Sequence, residues 1–409
     1  MLKRFSIAFL VVTLLIGTAS LVVAETKVTF WHAMSQYHQE ALKEITNSFE
    51  ETHPSIDVKL TYQGGYGDLS QKLITAAPAN QLPVAAQQYE DWTSQYVNAD
   101  ILISLQNKVS QKYIKNLPKA LVDSCTFQDE LYVLPFNKSA MVLYYNTELV
   151  ENPPDTWQEL LTKAKKLTVD QNNDGKPDQY GFGIKPYAEM FSLFFHQAGG
   201  QFFNEDKTEM LIDSKAGIEA LKFVKKLRKH SLYQSGYLSG PFGSGKIAMY
   251  IGSSAGIPYV ASASEGNHGW STAVLPKGPE NGGSMIQGTN VGIFTAGVTK
   301  EQQQAGLEFI KFLVNDSNTI KWAKQTGYIP VKKSAIDSNS WQQFIKENPR
   351  RKATSKMMLN GFVYPHHQEM YSIRSEYISS VLEKVLLDVG APKPLLEQAA
   401  KSIEKKYLN

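Results

Sequence analysis

The sequence predicts an α/β protein, and three observations carry that expectation. From residue 26 onward, short extended runs alternate with amphipathic helical stretches, the pattern of a parallel sheet covered by helices. Of the 409 residues, 42% are hydrophobic and 20% charged, with 28 Gly and 18 Pro, so collagen-like, coiled-coil and disordered classes fit poorly. No repeat, low-complexity tract or Gly/Ser linker divides a chain long enough for two or three domain-sized units. Two lobes, if present, must share the chain through several crossings.

Taken in order, Lys3-Arg4 precede an apolar run at 5–16 and small residues around Gly17, Ser20 and Ala24, which reads as an export signal cut before Glu25. An uncleaved anchor over 5–24 is the rival, since that stretch is about long enough to span a bilayer. Val28, Phe30 and Trp31-His32 form a first strand, and Ala41, Leu42, Ile45 and Phe49 give one helical face that His53-Pro54 ends. Ile56, Val58, Leu60 and Tyr62 alternate as a second strand, which turns at Gly64-Gly65 into a helix through Leu69, Leu73 and Ile74. Further on, Thr156 to Glu159 is a capping box after Pro153-Pro154, and Ser214 caps a run through Ile218, Leu221 and Val224. Cys125 is the only cysteine, so no intramolecular disulfide forms, and the leader lacks a lipoprotein cysteine. The formal charge of +3 falls to +1 without Lys3 and Arg4, which leaves no field to hold nucleic acid.

Several motifs invite chemistry. Gly240 to Lys246 has phosphate-loop spacing, but Ile247 stands where a Ser or Thr would bind magnesium. Gly252-Ser253-Ser254-Ala255-Gly256 fits a nucleophile elbow, which would make a serine esterase at Ser254 with a later histidine such as His268. The histidines show no paired spacing for zinc. Asp170, Asn172, Asp174, Lys176 (through its carbonyl) and Asp178, with Gly175 at the sixth position, match a calcium loop whose twelfth position holds Gly181 instead of Glu. The bland alternative is an Asn/Asp/Gly turn. Any calcium would be structural, and no other cofactor is expected.

Leu134-Pro135-Phe136-Asn137, Leu143-Tyr144-Tyr145-Asn146, Pro153 to Trp157 and Phe242-x-x-Gly245-Lys246-x-Ala248-Met249 together resemble the extracellular solute-binding proteins of ABC importers. Thr29 to His32, Gln325 to Pro330 and Asn348-Pro349 with Met358-Leu359-Asn360 are similar to the glycerol-3-phosphate-binding branch of that family. The resemblance implies a two-lobe periplasmic-binding-protein fold of type II, each lobe a mixed, mainly parallel sheet flanked by helices, with the ligand cleft between them. It places lobe 1 at 25–137 and 283–330 and lobe 2 at 138–282 and 331–409. It further implies a monomer in the periplasm or outside the cell, with no chemistry of its own, that closes on a solute and delivers it to membrane permease subunits.

Carried over position by position, Tyr66 and Glu90 match the family's glycerol contacts, and Ser139, Ser253, Gly288, Tyr328 and Arg374 match its phosphate shell. The family's tryptophan pair is missing, and Phe182, Tyr187 and Phe191 are the nearby aromatics. Elementary electrostatics supports the same division: a phosphate needs convergent N–H and O–H donors, whereas a carboxylate belongs at the neutral hydroxyl end. The expected solute is glycerol 3-phosphate or a glycerophosphodiester. A neutral oligosaccharide is the alternative if stacked aromatics, and not Arg374, dominate the cleft.

Overall fold

A computed structural model describes residues 25–408; the predicted leader at 1–24 lies outside the described residues. The chain opens as expected, with β1 (Thr26–His32), α1 (Tyr37–Thr52), β2 (Ile56–Tyr62), α2 (Tyr66–Ala76), β3 (Ala85–Gln88) and α3 (Glu90–Asn98). β1 lies between β2 and β3 and runs parallel to both, with Val28 opposite Val58 and Phe30 opposite Ala85. Leu42, Ile45 and Phe49 of α1 are fully buried, and Phe49 and Phe30 both meet the edge of Phe309 at 5.3 and 5.5 Å. Gly64 bends the chain at φ +96°, and the Gly65 N–H donates to Asp68 Oδ2 at 2.8 Å, which starts α2. Leu69 and Leu73 are buried as predicted, but Ile74 is exposed at the edge of the cleft described below.

Two antiparallel strands complete this five-stranded sheet: Asn290–Ile293 pairs with β3, and Val133–Pro135 pairs with Asn290–Ile293. The second sheet is built around Ser139–Asn146, which pairs with Ser284–Gln287, Met249–Ser253 and Trp270–Ala273, all antiparallel. Phe182–Ile184, Ser231–Tyr233 and Gly361–Phe362 extend it with parallel pairs. Both sheets are therefore mixed, with parallel and antiparallel pairs in balance instead of mainly parallel. The strands contributed at the crossings run against their neighbours.

Those crossings are tight. The chain leaves the first sheet at Pro135 and enters the second at Ser139; it returns between Gln287 and Asn290. The return lies later than the expected boundary at 283 because Ser284–Gln287 still belongs to the second sheet. The break between the two strands falls at Gly288, φ +97°. The last crossing is also later than 331. Helix Lys333–Ile336 still packs on Asp316–Thr326 beside α1, and only Lys352–Leu359 packs on Ser139–Asn146. Thr156 accepts from the Glu159 N–H at 3.2 Å, but Glu159 Oε2 accepts from the Asp155 N–H at 3.0 Å in place of the reciprocal capping-box bond, and Ser214 sits at its N-cap without a side-chain cap bond. Cys125 is buried, and burial pushes its thiol up to about 12, so it is an inert core residue.

Candidate functional site

Between the two sheets lie two adjoining cavities of about 500 and 580 Å³ that share Tyr66, Glu189 and Gln287 in their walls. The first is lined by Glu90, Tyr89, Tyr364 and Arg374, the second by Ser253, Tyr328, Lys185 and Tyr187. A larger groove of about 760 Å³, beside Lys119, Lys207 and Phe362, holds none of the sequence-predicted positions. The carboxyl ends of β1 and β3 and the amino ends of α2 and α3 point into the joined cleft, the position where α/β sheets present ligand groups.

The inner end of the cleft is organised by the two crossings. Asn137, on one crossing, accepts from Thr289 on the other and from Gln87 Nε2 at 3.0 Å, and its own amide donates to Tyr66 Oη at 2.8 Å. Gln87 also donates to Thr289 Oγ1 at 3.0 Å, so strand β3, both crossings and the ligand-facing Tyr66 form one network. Beside it, fully buried Lys138 donates to Glu90 Oε1 at 2.8 Å and to the Gly288 carbonyl at 2.9 Å. At Gly288 glycine is obligatory on two grounds: its φ is +97°, and a Cβ would sit 1.9 Å from the Asn137 carbonyl oxygen. Glu90 therefore reaches the cleft as half of an ion pair, not as a free carboxylate.

Toward the second cavity, Ser253 Oγ donates to Ser139 Oγ at 2.9 Å, and Tyr66 and Tyr328 hydroxyls lie 3.5 Å apart. Tyr328 is fixed by stacking on Trp322 at 5.7 Å and by His38 at 5.4 Å. Burial raises the pKa of both tyrosines, most strongly Tyr66, so each remains a hydroxyl donor. Behind Ala33 and Met34 of the second cavity, buried His32 accepts from the Met34 N–H at 3.2 Å, and burial pushes its pKa down to about 4.

Arg374 is in the cleft wall but not as a free fork. It lies 3.7 Å from Asp91 of α3 and 3.8 Å from Glu189 of helix Ala188–Gln197, so its ion pairs bridge the two lobes. Its guanidinium also faces the rings of Tyr364 and Tyr371 at 5.0 and 5.4 Å. Burial opposes its charge, but Asp91, Tyr364 and Glu189 outweigh that and hold its pKa above the ordinary arginine value. Both ion pairs exceed hydrogen-bond distance, which leaves N–H donors for a tetrahedral anion. The sequence reading missed Asn137, Lys138, Asp91, Glu189 and Lys185. The first two adjoin Ser139 in the run that carried the family resemblance, and that adjacency was the available signal.

Other sequence candidates stand apart from the cleft. Ser254 is fully buried and its Oγ accepts from the Ala140 N–H at 3.3 Å, while His268 bonds the carbonyls of Phe242 and Gly269; no triad forms. Residues 240–246 belong to a short helix, Ser239–Gly243, and its end, not to a phosphate cradle. In the 170–178 loop, Asp170 accepts from the N–H groups of Asp174 and Gly175, and Asp178 accepts from Gln171. Asn172 Oδ1 also accepts from the Asp174 N–H and Asp174 Oδ1 from the Lys176 N–H, so Asp170, Asn172, Asp174, Lys176 and Asp178 are drawn together in a hydrogen-bonded turn. Phe182 and Phe191 are core residues, and of the three nearby aromatics only Tyr187 faces the cleft.

The family profile described as bacterial extracellular solute-binding protein matches residues 44–352. The sn-glycerol-3-phosphate-binding periplasmic protein of Escherichia coli K12 is 23% identical over 92% of this chain and 90% of its own length, and that of Yersinia pestis is 23% identical over 94% and 92%. Among solved structures, the cyclic alpha-maltosyl-1,6-maltose binding protein of Arthrobacter globiformis superposes with a TM-score of 0.82 at 19% identity, covering 93% of this chain and 98% of that one. The Mycobacterium tuberculosis relative solved with glycerophosphocholine gives 0.79 at 20%, with the same coverage. At such identities the structural likeness establishes the type II two-lobe fold.

Proposed function

The chain belongs to the bacterial extracellular solute-binding protein family, and from that premise we propose that it captures sn-glycerol 3-phosphate or a glycerophosphodiester in the interlobe cleft. It would then present that solute to the permease of an ABC importer, as an exported monomer freed of residues 1–24. One observation carries this reading. Tyr66, Ser253, Tyr328 and Arg374, from four separate segments and both lobes, line the joined cleft as hydroxyl and guanidinium donors, with Ser139 behind Ser253 as the acceptor of its hydroxyl. Glu90 lines the same cavity as Arg374 and Tyr66, braced by Lys138, where it can accept from glycerol hydroxyls. A phosphate held this way exchanges its hydration for charge-assisted bonds of about 1.5–3 kcal/mol each.

Calorimetric titration with glycerol 3-phosphate, glycerophosphocholine and maltose tests the proposal; saturable binding of the first two, with none of maltose, supports it. Saturable maltose binding with no response to either phosphate would replace it by the neutral-oligosaccharide reading. That reading has its own support in exposed Tyr187, Tyr237 and Tyr259 along the second cavity. We also propose that calcium, by drawing the 170–178 carboxylates off the backbone, braces that turn. A melting temperature that ignores both calcium and a chelator would leave it a turn alone.

A further inference from the structure

The second cavity contains a feature that neither the phosphate shell nor the glycerol contacts use. Lys185 Nζ lies 4.6 Å from the centre of the Tyr187 ring and 4.7 Å from that of Tyr237. Two aromatic faces converging on one ammonium are the elements of a cation cage. The cage is held in shape: Tyr187 Oη donates to the Ser235 carbonyl at 2.7 Å, and Gln234 Nε2 donates to the Tyr237 carbonyl at 2.6 Å, so the segment carrying Tyr237 is tied to both. The rings are 45% and 85% exposed, which makes this the open end of the cleft. Glu189, the acid that acts on Lys185, forms its ion pair with Arg374 instead, at 3.8 Å, and Lys185 has no ion pair among the described residues.

We propose that Lys185, clasped by Tyr187 and Tyr237, is a specificity-determining residue that fills the cage with the protein's own cation. It thereby admits ligands whose far end is hydroxylated or anionic and excludes those ending in a quaternary ammonium. The inference rests on the glycerophosphodiester reading and deepens it by naming the headgroup class. A choline group entering this end would meet a like charge and find both inner ring faces occupied. A polyol headgroup can accept from the Lys185 N–H donors, and a second anion pairs with the charge left uncompensated there. This would set the chain apart from the relative solved with glycerophosphocholine.

Wild type and the variants Lys185→Met and Lys185→Arg are titrated with glycerophosphoglycerol, glycerophosphocholine and choline chloride alone. Wild type should prefer glycerophosphoglycerol by about tenfold, Lys185→Arg should keep that preference, and Lys185→Met should lose or invert it, as a vacated cage gains a cation site. Choline alone should bind Lys185→Met in the millimolar range and wild type at least about fivefold more weakly. Equal ester affinities in wild type, or choline binding that is the same or absent in wild type and Lys185→Met, overturns the cage assignment. Failure of both esters to bind any variant overturns the glycerol-phosphate reading instead, and the choline arm still decides the cage.

Discussion

The cleft has two ends of opposite construction, and each presents one lysine. At the hinge end Lys138 is fully buried, paired with Glu90 and bonded to the Gly288 carbonyl, inside a network that joins β3 to both crossings. At the mouth Lys185 is partly exposed, held by two exposed tyrosine rings and no carboxylate. The hinge end is pre-organised, with Lys138 and Asn137 spent on protein partners; the mouth has more of its bonding capacity left over. Substitutions at the first should therefore read out mainly as stability, and substitutions at the second as ligand choice.

The largest effect is expected from Lys138→Met, which leaves Glu90 without its partner beside the hinge. Breaking a buried pair from one side costs about 3–5 kcal/mol. A urea midpoint close to wild type would mean that the hinge network does not depend on this charge. Adding Glu90→Gln should recover part of the loss, because the uncompensated charge is then gone. Acid should act through His32, whose neighbour Ala33 donates to Gln87 of the hinge network. Its folded pKa is pushed by burial from 6.5 to about 4, so the unfolded chain takes up this proton at a higher pH than the folded protein. The stability present at neutral pH is thus lost as pH falls from about 6.5 toward 4, to a limit of about 3 kcal/mol for this residue. The urea midpoint of His32→Gln should fall less steeply over that window than wild type.

The part of this design legible in the sequence is the part written locally. β1, α1, β2 and α2 follow from period-two and period-3.6 burial, and Val28, Phe30, Leu42 and Phe49 are buried where the pattern puts them. Of the seven positions that the resemblance orders along the chain, Tyr66, Glu90, Ser253, Tyr328 and Arg374 line the cleft, while Ser139 and Gly288 lie behind it. What was not legible is pairing across distance. Nothing local tells that Ser284–Gln287 belongs to one sheet and Asn290–Ile293 to the other, since the change depends on one left-handed glycine. Arg374 looked like an isolated fork because Asp91 and Glu189 lie far from it in sequence, and Lys138 looked like a spacer between Asn137 and Ser139.

Arg374 ranks next, because it serves the fold through Asp91 and Glu189 as well as the cleft. Arg374→Ala should weaken glycerol 3-phosphate by about a hundredfold, ~2.7 kcal/mol, and it should also lower stability, since Asp91 loses its cation. The two effects separate in the Asp91→Asn background, where the stability loss of Arg374→Ala should shrink while the affinity loss persists. Affinity within about threefold of wild type would remove Arg374 from the phosphate shell. Arg374→Lys should rescue only part of the affinity, as one ammonium cannot replace a planar fork.

The smallest stability effect belongs at the mouth, and it is the sharpest check on the contrast between the two lysines. Lys185→Met removes the same charge and puts the same side chain in its place as Lys138→Met. Lys185 leaves no carboxylate in an ion pair behind it, and its contacts are cation–π contacts worth about 0.5–1 kcal/mol at exposed sites. Methionine retains much of the apolar stem against the two rings, so part of even that contribution survives. Burial also disfavours the charged form of Lys185, with Glu189 only partly offsetting it, so its removal relieves a cost that opposes the loss. The midpoint of Lys185→Met should therefore lie within about 1 kcal/mol of wild type. A loss comparable to that of Lys138→Met would show that the mouth is as pre-organised as the hinge, and that the tyrosine pair serves the fold before it serves any ligand.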